Sequence, residues 1–128
     1  MANLRVSGVT KVYPSGKTAL AGISLSSADS EFLAVVGGAS SGKSTLLRVI
    51  AGLEEPDEGE IFIGDKQVNG LPVKLRDVAM IFGSNTLYPT MTVAENIGYG
   101  LKLRKYPQSV IDQRVEVVSE MLGLKDVL

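Results

Sequence analysis

The chain has 128 residues, a hydrophobic share of 45% and a formal net charge of -1 at pH 7. This composition excludes a disordered chain, and the near-neutral charge argues against nucleic acid as the main partner. With no cysteine and no histidine, disulfides, thiolate metal sites and the commonest general base are excluded. No apolar run approaches the roughly 18 residues of a membrane span, and the first residues lack a signal-peptide pattern, so we expect a cytosolic protein.

An antiparallel hairpin is predicted at the N-terminus. Residues 4–9 alternate between apolar and polar side chains, residues 19–25 do so more loosely, and Pro14-Ser15-Gly16 provides the turn chemistry between them. Gly16-Lys17-Thr18 imitates the end of a phosphate-binding loop, but Lys11 stands where the leading glycine should be. We therefore interpret this segment as an ordinary turn.

The next segment fits the phosphate-binding pattern GxxxxGK[ST]. Residues 32–36 before it form a continuous apolar run, typical of a parallel strand that is covered on both faces. After it, Leu46, Leu47, Ile50 and Leu53 recur at helical spacing. The pattern therefore predicts a loop between a strand and a helix N-terminus, formed by Gly37, Gly38, Ala39, Ser40, Ser41, Gly42, Lys43, Ser44 and Thr45.

This placement predicts an anion site, because backbone N–H groups and the positive end of the helix dipole point at one spot. The ammonium of Lys43 can reach β- and γ-phosphate oxygens. The hydroxyl of Ser44 can ligate a Mg²⁺ ion that bridges the same oxygens, and Thr45 would help to hold the first helical turn.

Further along the chain, residues 60–65 could be the apolar strand and aspartate that hold Mg²⁺ in phosphate-loop enzymes. A tight hairpin is the stronger interpretation, because Gly64-Asp65 lies between two apolar segments. Residues 78–82 predict a second core strand. Helices are predicted at residues 93–103 and 109–122; the second has Pro107 and Gly123 at its ends and an apolar stripe of Ile111, Val115, Val118 and Leu122.

These segments together resemble the ATP-binding cassette ATPases, the nucleotide-hydrolysing subunits of ABC transporters. The most specific matches are residues 11–14, the phosphate loop with residues 46–56, and residues 80–97. The amino-acid sequence at residues 76–80, 87–89 and 92–96 is most similar to that of importer ATPases for sugars and glycerol phosphate. The resemblance implies that the chain is the N-terminal portion of a cassette. It also implies an α/β fold of the P-loop NTPase type, with a partial parallel core sheet. Residues 1–84 would be a nucleotide-binding core with an antiparallel β-subdomain, and residues 85–128 the start of a helical subdomain.

The resemblance also implies ligands and partners. Tyr13 would stack on the adenine ring of ATP, although an ordinary hairpin tyrosine is the alternative, and Mg²⁺ would accompany the nucleotide. Residues 87–96, from Leu87 to Asn96, would receive a short helix from a membrane-spanning permease subunit, with Tyr88, Pro89 and Met91 lining the groove. A second cassette would complete the ATP site, and the protein would lie in the cytoplasm at the inner face of the membrane.

Several positions depart from the family pattern. Gly83 stands where the family has a glutamine that contacts Mg²⁺ and the attacking water, so no catalytic residue is predicted. Ser40 and Ser30 replace glycines, and Ser40 would cost about 1–2 kcal/mol if its φ angle were positive. Strands to flank residues 32–36 are not evident, which should expose apolar surface.

The family's signature motif, Mg²⁺-binding aspartate, catalytic glutamate and switch histidine would follow Leu128 in a whole cassette. Turnover by this chain alone is therefore not expected, and the alternative function is a non-hydrolysing nucleotide-binding or interaction module. GTPases and small-molecule kinases fit less well, because neither a base-reading NKxD motif nor an arginine-rich lid is evident.

Overall fold

A computed structural model of the chain describes residues 3–84 and 86–128, which fall into two units that divide between Met80 and Ile81. The elements of the first unit are β1 (Leu4–Val12), β2 (Thr18–Ser27), α1 (Lys43–Ala51), β3 (Glu58–Ile63), β4 (Lys66–Gln67) and a 3-10 turn at Val73–Leu75. Those of the second are α2 (Val93–Leu103), α3 (Gln108–Leu122) and a 3-10 turn at Lys125–Val127. Within the described residues, none of the helices has the length and apolar content that a bilayer crossing requires.

The first unit is built on an antiparallel sheet in the order β2-β1-β3-β4. The predicted N-terminal hairpin is confirmed, since β1 pairs with β2 and the Tyr13 carbonyl accepts a hydrogen bond from the Gly16 amide at 2.8 Å in the turn. On its other side β1 pairs with β3, which folds back through Gly64 and Asp65 into β4. The second hairpin is therefore also confirmed, and Asp65 is a turn residue.

The hydrophobic core of this unit joins the sheet to α1. A register shift separates Val6 from Val9 on β1, and such a bulge lets two side chains three residues apart face the same side. Burying an aliphatic side chain of this size contributes about 1.5–3 kcal/mol. The buried members of the core are Val6, Val9, Leu20, Leu46, Val49, Ile61 and Val68.

Helix α1 follows the phosphate loop as predicted and ends at Gly52, which has a φ angle of 81°. Its last carbonyl groups are bonded by Arg76, whose Nη1 donates to the oxygens of Val49 at 2.9 Å and Ile50 at 3.2 Å. The Nε of Arg76 donates to the Leu71 carbonyl, and its Nη2 pairs with Glu55 at 3.0 Å. Arg76 is only 2% exposed. A buried cation therefore satisfies the negative end of the helix.

The two predicted parallel strands are not formed among the described residues, so the partial parallel core sheet was a wrong prediction for this part of the chain. Residues 32–36 and 78–82 run as irregular chain, and the sheet that is present is antiparallel. A buried strand needs neighbours that bond its backbone and cover both its faces, and no described segment provides them. The expected exposure of apolar surface is confirmed, since Phe32 is 92%, Val36 88% and Ile81 90% exposed.

Asp57 joins the segment before β3 to the end of β1. Its Oδ2 accepts a hydrogen bond from the Val12 amide at 2.6 Å, and its Oδ1 lies 3.4 Å from the Lys11 ammonium. The Val12 amide, assisted by Lys11, holds the pKa of the Asp57 carboxyl below its ordinary value of 3.8, because both favour the charged form.

The stability contribution of Asp57 should therefore depend on pH. Because its folded-state pKa is lowered, the contribution is present above the unfolded-state pKa and is lost as the pH falls through the folded-state value. In urea unfolding, wild type should exceed Asp57→Asn in free energy of unfolding at pH 7, and the difference should shrink as the pH falls below about 4. A difference that is constant across this range would show that the charge is not involved.

The second unit contains the two predicted helices. Helix α2 begins with a capping box, in which the Thr92 hydroxyl accepts from the Glu95 amide and the Glu95 carboxylate accepts from the Thr92 amide. In α3 the predicted stripe is correct for Ile111 and Val115, which are buried. Towards the other end the prediction fails: Ser119 continues the buried face, because residues four apart lie on one side of a helix, whereas Val118 is half-buried and Leu122 is exposed.

Candidate functional site

The predicted phosphate loop runs directly into α1. The helix begins at Lys43, after Gly42 with a φ angle of 93° and a ψ angle of -2°, and no side chain caps its first turn. An uncapped helix N-terminus leaves backbone N–H groups available and carries a partial positive charge. The local geometry therefore provides the donors that an anion requires.

Gly42 is required by a close approach to the hairpin. A Cβ atom built on Gly42 would lie 2.2 Å from the backbone oxygen of Ala19, a distance that real Cβ atoms do not adopt. The loop is thus packed against the start of β2 through a position that has no space for a side chain.

The backbone strain predicted at Ser40 is present. Its φ angle is 60°, in the left-handed region that favours glycine, and Ser30 has a φ angle of 59°. Both serines occupy positions where the resemblance implies glycine. Each position costs about 1–2 kcal/mol relative to an unstrained residue.

The ammonium of Lys43 lies over the loop. Its Nζ donates to the carbonyl oxygens of Gly37 at 2.9 Å and Gly38 at 2.5 Å, and to the Ser41 hydroxyl at 3.2 Å. These bonds hold the cation beside the helix N-terminus. They also mean that a phosphate group would have to compete with the loop for the same donor.

The structure brings most of the predicted site residues around one pocket of about 140 Å³. Three of the predicted residues do not line the pocket: the carbonyls of Gly37 and Gly38 accept hydrogen bonds from Lys43, and Ala39 lies next to Ser40 in the loop. The lining residues are Tyr13, Lys17, Ala19, Ser40, Ser41, Gly42, Lys43, Ser44 and Thr45.

Tyr13 is fixed at the wall of this pocket by its hydroxyl group. The Oη atom donates to the Glu54 carboxylate at 2.7 Å and lies 3.2 Å from the hydroxyl of Thr45. Thr45 is buried in the first turn of α1. The tyrosine therefore belongs to the same cluster as the loop, although it lies 24 positions before Gly37 in the sequence.

Lys17, Ala19 and Glu54 were not predicted as site residues. The first two line the pocket because the hairpin turns back at residues 13–17 and places the start of β2 beside the loop. If the hairpin register is assumed, the sequence also places Lys17 and Ala19 beside the loop. Nothing in the sequence signalled Glu54, since its bond to Tyr13 spans 41 positions.

For a metal ion, the chain offers the exposed hydroxyl of Ser44 at the pocket. Within residues 3–84 and 86–128, no group of three or more acidic side chains could hold a metal on its own. The residues present therefore fit a Mg²⁺ ion that is bound mainly by phosphate oxygens and takes one protein ligand.

Gly83 lies in the second unit, in an exposed segment. A Cβ atom at this position would meet nothing within 4 Å. The described structure therefore has room for a side chain there and does not require glycine.

Residues 87–96 are ordered by the Asn96 side chain. Its Oδ1 accepts from the Tyr88 amide at 2.8 Å, and its Nδ2 donates to the carbonyl of Thr92 at 2.9 Å. The ring of Tyr88 packs on Tyr99 with 4.6 Å between centroids, while Leu87 remains 71% exposed. A cavity of about 250 Å³ between α2 and α3 is lined by Met91, but Tyr88 and Pro89 do not line it.

Comparisons with known proteins agree with this geometry. The family model described as "ABC transporter" matches residues 20–128. The chain is 50% identical over its whole length to the sn-glycerol-3-phosphate import ATP-binding protein UgpC of Burkholderia cenocepacia (strain HI2424), and 49% to that of Burkholderia ambifaria. It spans 36% of the length of each of these curated relatives.

Two solved structures are similar in fold. The ATP-binding cassette MJ0796, in a dimeric post-hydrolysis state bound to ADP and Pi, is 30% identical with a TM-score of 0.76 over 88% of this chain and 54% of that one. Clostridium perfringens cbiO1, part of the ABC transporter complex cbiONQ, is 28% identical with a TM-score of 0.83 over 97% of this chain and 51% of that one. The predicted α/β fold of the P-loop NTPase type is thereby confirmed.

Proposed function

Since this chain belongs to the ABC transporter family, we propose that it is the nucleotide-binding, N-terminal part of an importer's ATP-binding subunit. The observation that carries the proposal is the convergence of Lys43, the uncapped start of α1 and Tyr13 on one pocket. Donors and hydroxyls line it, which suits a polyphosphate, and an aromatic ring stands at its wall, which suits a base. The 50% identity to glycerol-3-phosphate import proteins supports solutes of the glycerol-phosphate or carbohydrate class.

In this proposal the residues have separate roles. Loop amides and Lys43 bind the phosphates, Tyr13 contacts adenine, and Ser44 holds Mg²⁺ together with phosphate oxygens. The bound ion would neutralise charge on the β- and γ-phosphates.

The proposal includes the protein's partners. We expect a second cassette to complete the site, and the relative solved as a dimer supports this. A membrane-spanning permease subunit would bind at residues 87–96, where Leu87 and Tyr88 expose apolar surface, and would hold the protein at the inner face of the membrane. The proposed division into a core at 1–84 and a helical subdomain at 85–128 is supported by a boundary between units at Met80 and Ile81.

The test of this proposal is a Mg-ATP titration of wild type and Lys43→Ala. Loss of the ammonium removes charge-assisted hydrogen bonds to phosphate, so we expect binding to weaken about 10- to 100-fold. Lys66→Ala, which removes an exposed lysine from β4, is the matched control and should bind as wild type does. Equal affinities for wild type and Lys43→Ala would mean that the loop is not the site.

Gly83 favours a second candidate, a nucleotide-binding module that does not hydrolyse ATP. A glycine has no side chain to ligate a metal or to orient water, and no carboxylate lines the described pocket. Phosphate release measured on the same sample separates the two functions. ATP binding without turnover would support the module, whereas turnover that is lost in Lys43→Ala would support an ATPase.

A further inference from the structure

A hydrogen-bond network joins the pocket wall to the far end of α1. Glu54 lies two residues beyond Gly52, the C-terminal cap of the helix, and its side chain is 20% exposed. Its Oε2 accepts the Tyr13 hydroxyl at 2.7 Å, and its Oε1 lies 3.4 Å from Nη1 of Arg48. The carboxylate thus bridges the hairpin turn and the helix.

The direction of each bond in this network follows from proton counting. A phenol has one proton, and Tyr13 donates it to Glu54. Thr45, whose hydroxyl lies 3.2 Å from the same oxygen, must therefore be the donor in their contact. The Tyr13 oxygen is held from two sides, which removes the rotational freedom that an exposed tyrosine side chain normally has.

We propose that Glu54 is a positioning residue for nucleotide recognition, which fixes the Tyr13 ring in the orientation that stacks on the base. This inference rests on the proposed function. A ring that is already ordered loses little entropy on binding, so its stacking energy contributes more to affinity. Glu54 itself does not line the pocket, so its effect must pass through Tyr13.

The position of Glu54 predicts an effect that depends on the ligand. ATP contacts both the loop and the ring, whereas inorganic tripolyphosphate contacts the loop alone. Glu54→Ala should therefore weaken Mg-ATP binding about 5- to 20-fold and change tripolyphosphate binding by less than about 2-fold.

The experiment is a calorimetric titration of the 128-residue chain with each of the two ligands. The variants are Glu54→Ala, Glu54→Gln, which keeps an acceptor, and Tyr13→Phe, which keeps the ring and removes the hydroxyl. The control Glu58→Ala removes an exposed carboxylate at the start of β3 and should match wild type. We expect Glu54→Gln to stay close to wild type, and Tyr13→Phe to reproduce Glu54→Ala for both ligands.

The double variant identifies the route of the effect. If Glu54 acts through the Tyr13 hydroxyl, Glu54→Ala should have no further effect in the Tyr13→Phe background. Equal losses for ATP and tripolyphosphate would overturn the inference, because they would show that Glu54 supports the loop instead. Unchanged ATP affinity in Glu54→Ala would overturn it too. A wild-type chain that binds neither ligand would overturn the proposed function together with it.

Discussion

Gly42→Ala is expected to destabilise the first unit by about 3 kcal/mol and to abolish measurable ATP binding. Two costs add at this position. The φ angle of 93° is strained for any residue with a Cβ atom, and that atom would lie 2.2 Å from the Ala19 oxygen. To relieve the clash, the loop must move away from β2. That movement displaces the Lys43 ammonium and the backbone N–H groups in the first turn of α1, which are the proposed hydrogen-bond donors to phosphate.

The measurement is urea unfolding combined with ATP titration. Gly16→Ala is the matched control, since Gly16 has a φ angle of 80° and open space around its Cβ position. It should show the backbone cost alone, about 1 kcal/mol, with ATP binding retained. If the two variants were equally stable, the close approach of Gly42 to Ala19 would make no contribution to the free energy of unfolding.

Arg76→Met should lower the free energy of unfolding by about 3 kcal/mol. Methionine keeps much of the buried volume but donates no hydrogen bond. The carbonyl groups of Val49, Ile50 and Leu71 would then lose the partner they have in Arg76, inside a region where that residue is 2% exposed. An unsatisfied buried polar group costs about 1–3 kcal/mol.

Glu55→Gln separates carbonyl bonding from the ion pair. Glu55 is 54% exposed, so solvent screens its charge, and glutamine keeps a side-chain oxygen that can accept the same hydrogen bond from Nη2 of Arg76. We therefore expect Glu55→Gln to cost less than about 1 kcal/mol in the same urea experiment. A loss as large as that of Arg76→Met would show that the charge pair, and not the capping of α1, gives Arg76 its importance.

The elements that could be predicted from sequence are those determined by local chemistry. Turn residues identified both hairpins, and helical spacing with Gly52 and Gly123 as stops located the ends of α1 and α3. The phosphate loop was recognised because its residue types are fixed by the backbone conformation that they adopt. Even the strain at Ser40 followed from a glycine position occupied by another residue.

The features that could not be predicted depend on partners distant in sequence. The apolar run at residues 32–36 indicates a preference for a strand, but periodicity does not say whether neighbouring strands are present. Nothing in the sequence distinguishes Arg76 from other charged residues, because its role depends on its hydrogen bonds to the end of α1. Glu54 likewise acquires its bond to Tyr13 only when the hairpin and helix meet.

The exposed, unpaired stretch at residues 32–36 favours self-association of the chain at high concentration. It carries no charge and no proline, and it is rich in residues that favour extended backbone. Exposed apolar segments that are not paired in a sheet can pair with other chains and aggregate. Glu31 is the adjacent gatekeeper charge. The stretch is therefore an aggregation hazard, and self-association through it should rise with the concentration of the chain.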